Sequence, residues 1–300
     1  MSAVSDRVRI DFGNTDDQRD RGLKTPEDIV RYDNIVYGED KEIQILDVYC
    51  PLKEGGRLLP VIVSVHGGAW VYADKQRYQF YCMNLAQRGF AVVNFTYRLA
   101  PENQFPACLE DTCLVFSWVK EHAREYGFDT RYVFGVGDSA GAHILGLFTA
   151  MCVDPGFAER FPFSVPHGFV PMALAMNCGV YYVSGSKQPE DILFTQLMED
   201  FLPGKGTEEE LHLINVLEHI SGKFPPVYLM TAENDFLKKH TMALAEKLLE
   251  KKVPFAYYYY RDEHLELGHV FHLNIRTKAA KLCNDETCSF FRRYVREEEQ

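Results

Sequence analysis

Apolar residues fall in short, dense runs that alternate along the chain with segments of mixed apolar and polar character. The dense runs are rich in Val, Ile, Phe and Tyr, which is typical of strands. They predict strands at 34–38, 43–50, 60–66, 90–98, 131–137, 168–179, 226–232 and 254–261. The middle runs are apolar at nearly every position, which favours a parallel sheet covered by helices on both faces.

The segments between these runs place apolar residues at helical spacing. They predict helices at 76–88, 106–126, 139–153, 236–252 and 274–297. Such an alternation predicts a single α/β domain over residues 1–300, with a mostly parallel sheet of about eight strands between helices. The first two strands are joined by the short acidic turn "GEDKE", so we expect them to begin the sheet as an antiparallel pair.

Two segments depart from this alternation, and we expect both to contribute to a small helical cap at the carboxyl edge of the sheet. Residues 1–30 are polar, and "TPEDI" predicts a helix start with Thr25 as the cap and Pro26 at the first helical position. Residues 181–222 predict helices inserted between two late strands.

Composition narrows the classes of function. The 300 residues carry a formal net charge of −11, which disfavours binding to nucleic acid or to anionic membranes. We find no secretory signal pattern and no run of 18 apolar residues, so no membrane association is expected. Eight cysteines form no CxxC pair, which favours reduced, buried thiols in a cytoplasmic protein and gives no zinc-site spacing.

One pentapeptide carries specific chemistry. The strand at 131–137 runs into Gly137-Asp138-Ser139-Ala140-Gly141, and a small-residue helix follows at once. This is G-x-S-x-G between a strand and a helix, the arrangement that presents a serine hydroxyl on a sharp turn. Glycines flank the serine because side chains there would collide, and the helix amino terminus favours a developing oxyanion. Ser139 is therefore the candidate nucleophile.

A second motif predicts the oxyanion donors. The strand at 60–66 ends in "HGGAW", where two successive glycines allow backbone amides to turn toward the nucleophile. We expect the amides of Gly67, Gly68 and Ala140 to hold the oxyanion.

These motifs, in this order, resemble the α/β-hydrolase fold and, within it, the hormone-sensitive-lipase-like esterases. The chain has "HGGAW", then "YRLAPE" at 97–102 and "FPA" at 105–107, then "GDSAG", and the resemblance extends over residues 34–295. Ala69 stands where that family usually has a third glycine, so its methyl group narrows the loop while its amide is kept. The resemblance implies hydrolysis of small carboxylic esters with short, chiefly acetyl, acyl groups.

The fold implied by the resemblance places an acid and then a histidine after the serine. "PVYLMTAENDF" offers Asp235, which also matches the family's acid, with Glu233 as the alternative. "DEHLELGHVFH" offers His269, with His264 and His272 as alternatives. His269 is preferred because it follows a glycine and opens the last helix, as the family's base does.

Other polar and aromatic residues near these motifs have structural interpretations. His66 is expected to orient the oxyanion loop, His143 to pack beneath the serine turn, and Asp111 and Asp138 to form structural hydrogen bonds. Three aromatic residues are candidates either for the substrate pocket or for ordinary packing: Trp70, Tyr72 and Phe105.

The expected reaction is acyl transfer to water through an acyl-enzyme, with no metal or organic cofactor. His269 takes the proton of Ser139, and Asp235 orients the imidazole. An amidase of the arylformamidase type, similar to kynurenine formamidase, is the alternative enzyme because its loop also has the pattern H-G-G-x-W. A receptor that has lost catalysis is the alternative outside enzymes. The sequence leaves open whether the chain forms a homo-oligomer.

Overall fold

An eight-stranded, mostly parallel sheet organises the chain in a computed structural model that describes residues 2–52, 57–183 and 192–296. The strands are β1 (Ile29–Val36), β2 (Ile45–Pro51), β3 (Leu59–Val65), β4 (Ala91–Phe95), β5 (Phe128–Asp138), β6 (Leu174–Asn177), β7 (Val227–Ala232) and β8 (Phe255–Tyr260). Their spatial order is β1-β2-β4-β3-β5-β6-β7-β8. β1 and β2 are antiparallel to each other, β2 is antiparallel to β4, and the remaining pairs are parallel.

Helices cover both faces of the sheet. They are α1 (Ala3–Asp20), α2 (Lys75–Ala86), α3 (Ala107–Glu121), α4 (Ala123–Tyr126), α5 (Ala140–Val153), α6 (Pro155–Ala158), α7 (Ile192–Phe201), α8 (Glu208–Leu213), α9 (Val216–His219), α10 (Lys238–Glu250) and α11 (Lys278–Arg292). One apolar core lies between the sheet and α3, α5 and α10, and a second lies between the sheet and α2 and α11. Of the described helices, none combines the length and the apolar character needed to cross a bilayer.

The α/β fold class, the mostly parallel sheet and the antiparallel start predicted from the sequence are confirmed. Each of the eight predicted strands corresponds to one strand of the sheet, with bounds that differ by several residues. The predicted helix at 106–126 is interrupted at His122, which separates α3 from α4. The predicted end of the last helix, at 297, lies outside the described residues.

The prediction for the amino-terminal segment is wrong in its details. The helix covers Ala3–Asp20, and Ser2 rather than Thr25 caps it, by accepting a hydrogen bond from the Ser5 amide. Thr25 lies in an extended connection, where its hydroxyl accepts a hydrogen bond from Arg31. α1 has almost no apolar face, so tertiary contacts rather than an amphipathic stripe stabilise it.

α1 reaches across the carboxyl edge of the sheet. The Arg9 side chain donates to the carbonyl oxygens of Val71 and Ala100, which follow β3 and β4, at 2.8 and 3.0 Å. The helix also packs on α7, where the hydroxyls of Ser2 and Ser5 donate to the Asp200 carboxylate. Of the insertion predicted at 181–222, residues 192–219 contain α7, α8 and α9, and residues 184–191 lie outside the described part.

A buried ion pair joins α2 to the antiparallel part of the sheet. Lys75 and Asp47 are 1% and 2% exposed, and Nζ of Lys75 lies 2.8 Å from Oδ1 of Asp47. The same ammonium donates to the Asn34 side chain, and the Asn34 amide and the Tyr49 hydroxyl donate to Asp47. Every charge in this cluster therefore has hydrogen-bond partners, which a buried charge requires.

Replacing Lys75 with Met is expected to lower the free energy of unfolding by about 3–5 kcal/mol, because Asp47 is left buried without its cation. Urea denaturation measures this change. The double variant Lys75→Met/Asp47→Asn should recover part of the loss, because no uncompensated charge remains. A single variant as stable as the wild type would show that the ion pair does not stabilise the fold.

Candidate active site

The turn between β5 and α5 presents Ser139 at the carboxyl edge of the sheet. Ser139 has φ 51° and ψ −120°, a left-handed conformation that is costly for a residue with a side chain. Backbone hydrogen bonds hold it there: its amide donates to the Asn177 carbonyl at 3.1 Å, and its carbonyl accepts from Val180 at 3.3 Å. A side chain at Gly141 would collide with the carbonyl oxygens of Val65 and His66, so only glycine allows α5 to start this close to β3.

The structure brings Ser139, His269 and Asp235 together in one hydrogen-bonded chain. Nε2 of His269 lies 3.0 Å from Oγ of Ser139, and Nδ1 of His269 lies 2.8 Å from Oδ1 of Asp235. The turns that carry the acid and the base are themselves paired, since the Asn234 amide donates to the Leu267 carbonyl at 3.0 Å. This is the order of contacts that activates a serine hydroxyl.

The environment of Asp235 favours its carboxylate form. Burial alone would raise the pKa of Asp235, but hydrogen bonds from His269, Thr231 and the Leu237 amide lower it below its ordinary value. The Thr231 hydroxyl donates to Oδ2 at 2.6 Å, and the Leu237 amide donates to Oδ1 at 2.9 Å. Asp235 is therefore an anion held in a fixed orientation against the imidazole.

The alternative acid and bases lie elsewhere. The Glu233 carboxylate faces Arg261 at 3.5 Å, and His264 lies on an exposed turn. His272 is fully buried, burial lowers its pKa to about 3, and its ring nitrogens have no partner among the described residues. Of the three candidate histidines, His269 is the one that contacts both Ser139 and Asp235.

The Gly67 amide, one of the three predicted oxyanion donors, already has a hydrogen-bond partner inside the protein. This amide donates to the Tyr78 hydroxyl at 2.8 Å, and the residue is buried. An N–H group that is already bonded inside the protein is not available to a substrate oxygen. The prediction rested on the glycines of the motif, and the sequence does not show that Tyr78 of α2 binds one of their amides.

Gly68 and Ala69 are placed differently. Both are partly exposed, and within the described residues neither amide has a protein acceptor. Gly68 has φ 118°, and a side chain there would collide with the Tyr72 carbonyl. Ala69 also has positive φ, 53°, so the chain turns tightly at these two residues. The Ala140 amide begins α5, where an amide has no intrahelical acceptor.

His66 precedes this loop and, as the sequence predicted, has contacts that help to orient it. Its ring stacks on Tyr97 with a centroid separation of 3.9 Å, and the Tyr97 hydroxyl donates to the His66 carbonyl at 2.9 Å. Burial lowers the pKa of His66 to about 4, so the ring is neutral at pH 7. The neighbouring Arg98 binds the buried Asp111 carboxylate through Nε and Nη2, which fixes the chain after Tyr97.

Tyr78 links the oxyanion loop to the serine turn. Its hydroxyl accepts from Gly67 and donates to Oδ2 of Asp138, both at 2.8 Å. Burial raises the pKa of Asp138 to about 7, against the opposing effect of the Tyr78 hydrogen bond. A single buried hydroxyl therefore sets the position of the loop relative to the residue that precedes Ser139.

The three aromatic pocket candidates are engaged in packing. Trp70 is 1% exposed, stacks on Phe201 at 5.0 Å and donates to Nδ1 of His143 at 3.2 Å. Phe105 also packs on Phe201, at 5.5 Å. The Tyr72 hydroxyl donates to Asp16 of α1 at 3.0 Å. Packing is therefore the interpretation that the structure favours for Trp70 and Phe105.

His143 lies beneath the serine turn, as expected, and connects it to the helices of the insertion. Its Nε2 lies 2.8 Å from the Ile214 carbonyl, while Nδ1 accepts from Trp70. The proton is therefore on Nε2, and burial lowers the pKa of this ring to about 4.

Sequence reasoning missed the contacts of Tyr78 and Thr231 and did not single out the unbonded amide of Ala69. Thr231 lies inside β7, four residues before Asp235, and its hydroxyl looks like any strand residue in the sequence. Ala69 carried a usable signal, since it follows Gly68 in the motif and its amide is unaffected by the methyl group. Tyr78 carried no signal, because its role depends on contacts with two other elements.

Comparisons with known proteins show the family and the fold of this chain. A family model described as the alpha/beta hydrolase fold matches residues 62–273. Carboxylesterase NlhH of Mycobacterium tuberculosis is 30% identical over 241 residues, which are 76% of this chain and 73% of that protein. Esterase LipQ of the same organism is 25% identical over 207 residues, which are 67% of this chain and 48% of LipQ. The chain thus spans about half the length of LipQ.

Solved structures share the fold over almost the whole chain. Inhibited esterase B of Lactobacillus rhamnosis superposes with a TM-score of 0.87 at 24% identity, covering 98% of this chain and 97% of that one. The esterase of Pyrobaculum calidifontis gives a TM-score of 0.78 at 20% identity, covering 98% and 94%. The chain belongs to the α/β hydrolase fold family.

Proposed function

We propose that this chain is a serine carboxylesterase that hydrolyses small esters with short acyl groups, acetyl esters among them. The observation that carries the proposal is the hydrogen-bonded chain from Ser139 through His269 to Asp235. The relatives named as esterases support the same reaction class. A complete triad disfavours a receptor without catalysis, since such a receptor needs no aligned base.

In the proposed reaction, Nε2 of His269 takes the proton as Oγ of Ser139 attacks the ester carbonyl carbon. Asp235 keeps the Nδ1 proton in place and stabilises the imidazolium that forms. His269 then gives its proton to the leaving alkoxide, so that an alcohol departs and the acyl group stays on Ser139. Water, deprotonated by His269, attacks the acyl-enzyme, and His269 returns the proton to Oγ of Ser139 as the bond to the acyl group breaks and the acid leaves.

We assign the oxyanion to the amides of Gly68, Ala69 and Ala140. The first two are unbonded among the described residues and partly exposed, and the third lies at the positive end of the α5 dipole. Donors that are already oriented need no reorganisation when negative charge develops on the carbonyl oxygen.

We expect a cap of helices over the site to restrict the substrates to small esters. We propose that α1 and α7–α9 form a cap, because α1 contacts the ends of β3 and β4 and packs on α7. None of the eight cysteines forms a disulfide within the described residues, and all but Cys152 are buried, which supports the cytoplasmic location that we propose.

Changing Ser139 to Ala is expected to lower kcat for 4-nitrophenyl acetate by a factor on the order of 10⁴–10⁶, because the nucleophile is removed. Initial rates with acetyl, butyryl and hexanoyl esters measure the loss and the acyl preference. N-formylkynurenine serves as the comparison substrate for the amidase alternative.

Circular dichroism should show an unchanged fold for this variant, since Ser139 is partly exposed. Turnover of any of these esters at the wild-type rate by folded Ser139→Ala protein would refute the assignment. A formamide hydrolysed faster than every ester would favour the amidase.

Replacing Tyr78 with Phe is expected to lower kcat about tenfold with little change in KM, because the hydroxyl that holds Gly67 against Asp138 is lost. Tyr81→Phe is the matched control: it removes the same atom from the same helix, and the Tyr81 hydroxyl has no partner among the described residues. Steady-state kinetics and thermal melting of both variants separate positioning from stability. Equal kcat values in the two variants would contradict the role of Tyr78.

A further inference from the structure

A cleft of about 680 Å³ adjoins the acid of the triad, since Asp235 is one of its lining residues. The turn from β7 into α10 forms one wall, and Tyr182, Val183 and Phe194 contribute to the other. Its lining residues are Tyr182, Val183, Phe194 and the continuous stretch from Glu233 to His240. Phe236 connects the cleft to the reaction centre, because its ring centroid lies 4.4 Å from that of His269.

Aromatic rings make up much of the cleft surface. Tyr182 stacks on His240 with a centroid separation of 4.3 Å, and Phe194 lies 6.3 Å from the same imidazole. Phe236 is 63% exposed although it follows the buried Asp235. An exposed aromatic ring at this place offers a surface for the part of an ester beyond the scissile bond.

Two lysines and two carboxylates line the cleft, so its charges balance although the protein as a whole is acidic. The chain has a formal net charge of −11, yet Lys238 and Lys239 both line this cleft, in the first turn of α10. Cations at a helix amino terminus oppose the helix dipole, so helix stability does not account for them. Both acidic side chains of the lining have partners: Glu233 faces Arg261 at 3.5 Å, and Asp235 is hydrogen-bonded to His269 at 2.8 Å.

The two lysines differ in their exposure and in their contacts with the turn that carries Asp235. Nζ of Lys238 donates to the Glu233 carbonyl at 2.7 Å and so supports the turn that carries Asp235. Lys239 is exposed and extends from the same turn of helix. Lys239 is therefore the cation that can meet a ligand without loss of a contact in the turn.

We propose that this cleft selects esters that carry a carboxylate on the portion distal to the scissile bond, with Lys239 as the residue that recognises the anion. The proposal rests on the esterase function above and adds the substrate class. The aromatic rings hold the carbon skeleton, and the ammonium group attracts the carboxylate.

The experiment compares kcat/KM for two pairs of esters that differ in one charge. In the alcohol arm, 4-acetoxybenzoate is compared with neutral 4-acetoxybenzamide. In the acyl arm, the 4-nitrophenyl monoester of adipic acid is compared with 4-nitrophenyl hexanoate. The wild type is expected to prefer the anionic member of one pair, and the arm in which it does so shows which half of the ester enters the cleft.

Lys239→Gln is expected to lower kcat/KM for that anionic ester about threefold to fivefold, with the neutral partner unchanged, as for one partly exposed ion pair. Raising the salt concentration should reduce the wild-type preference in the same direction. The matched control is Lys223→Gln, which makes the same charge change in the exposed loop before β7, at the opposite edge of the sheet.

A charge preference that Lys239→Gln leaves intact, or that Lys223→Gln lowers equally, would overturn the proposal, as would the absence of a preference in both arms. The rate of hydrolysis of the neutral esters tests the proposed esterase function independently of the charge preference. If they are hydrolysed normally by Lys239→Gln and not by Ser139→Ala, the esterase assignment stands whatever the charge preference shows.

Discussion

The close approach of the β5–α5 turn to the end of β3 is the constraint on which the site depends. It places Gly141 against the carbonyl oxygens of Val65 and His66 and holds Ser139 at a positive φ of 51°. This strain is sustained by the parallel pairing of β5 with both β3 and β6. The hydroxyl is consequently presented at the edge of a rigid sheet, where the histidine of a distant turn can reach it.

Two sets of hydrogen bonds position the residues around Ser139. On one side, Thr231 and the Leu237 amide fix Asp235, which fixes His269. On the other side, Tyr78 joins the loop after β3 to Asp138, the residue before the nucleophile. Asp235, His269 and the loop after β3 are thus all held near Ser139 at the carboxyl ends of the strands, which is where α/β folds assemble their sites.

The sequence was sufficient where a local pattern determines the outcome. Dense apolar runs identified the strands, and the spacing of glycines around Ser139 identified the turn. It was insufficient where the partner lies on another element. α1 has no apolar stripe and is held by polar contacts such as that of Arg9 with Val71 and Ala100. The amide of Gly67 is taken by a tyrosine eleven residues later, which no motif records.

The most direct test of the central claim is the site of covalent modification by an organophosphate ester. The intact mass and peptide map of the wild type after treatment with diethyl 4-nitrophenyl phosphate should show one diethylphosphoryl group on Ser139, formed much more slowly in His269→Ala protein. Modification at another residue, or equal rates in the two proteins, would contradict the claim that this strained turn and the His269 imidazole together make the serine reactive.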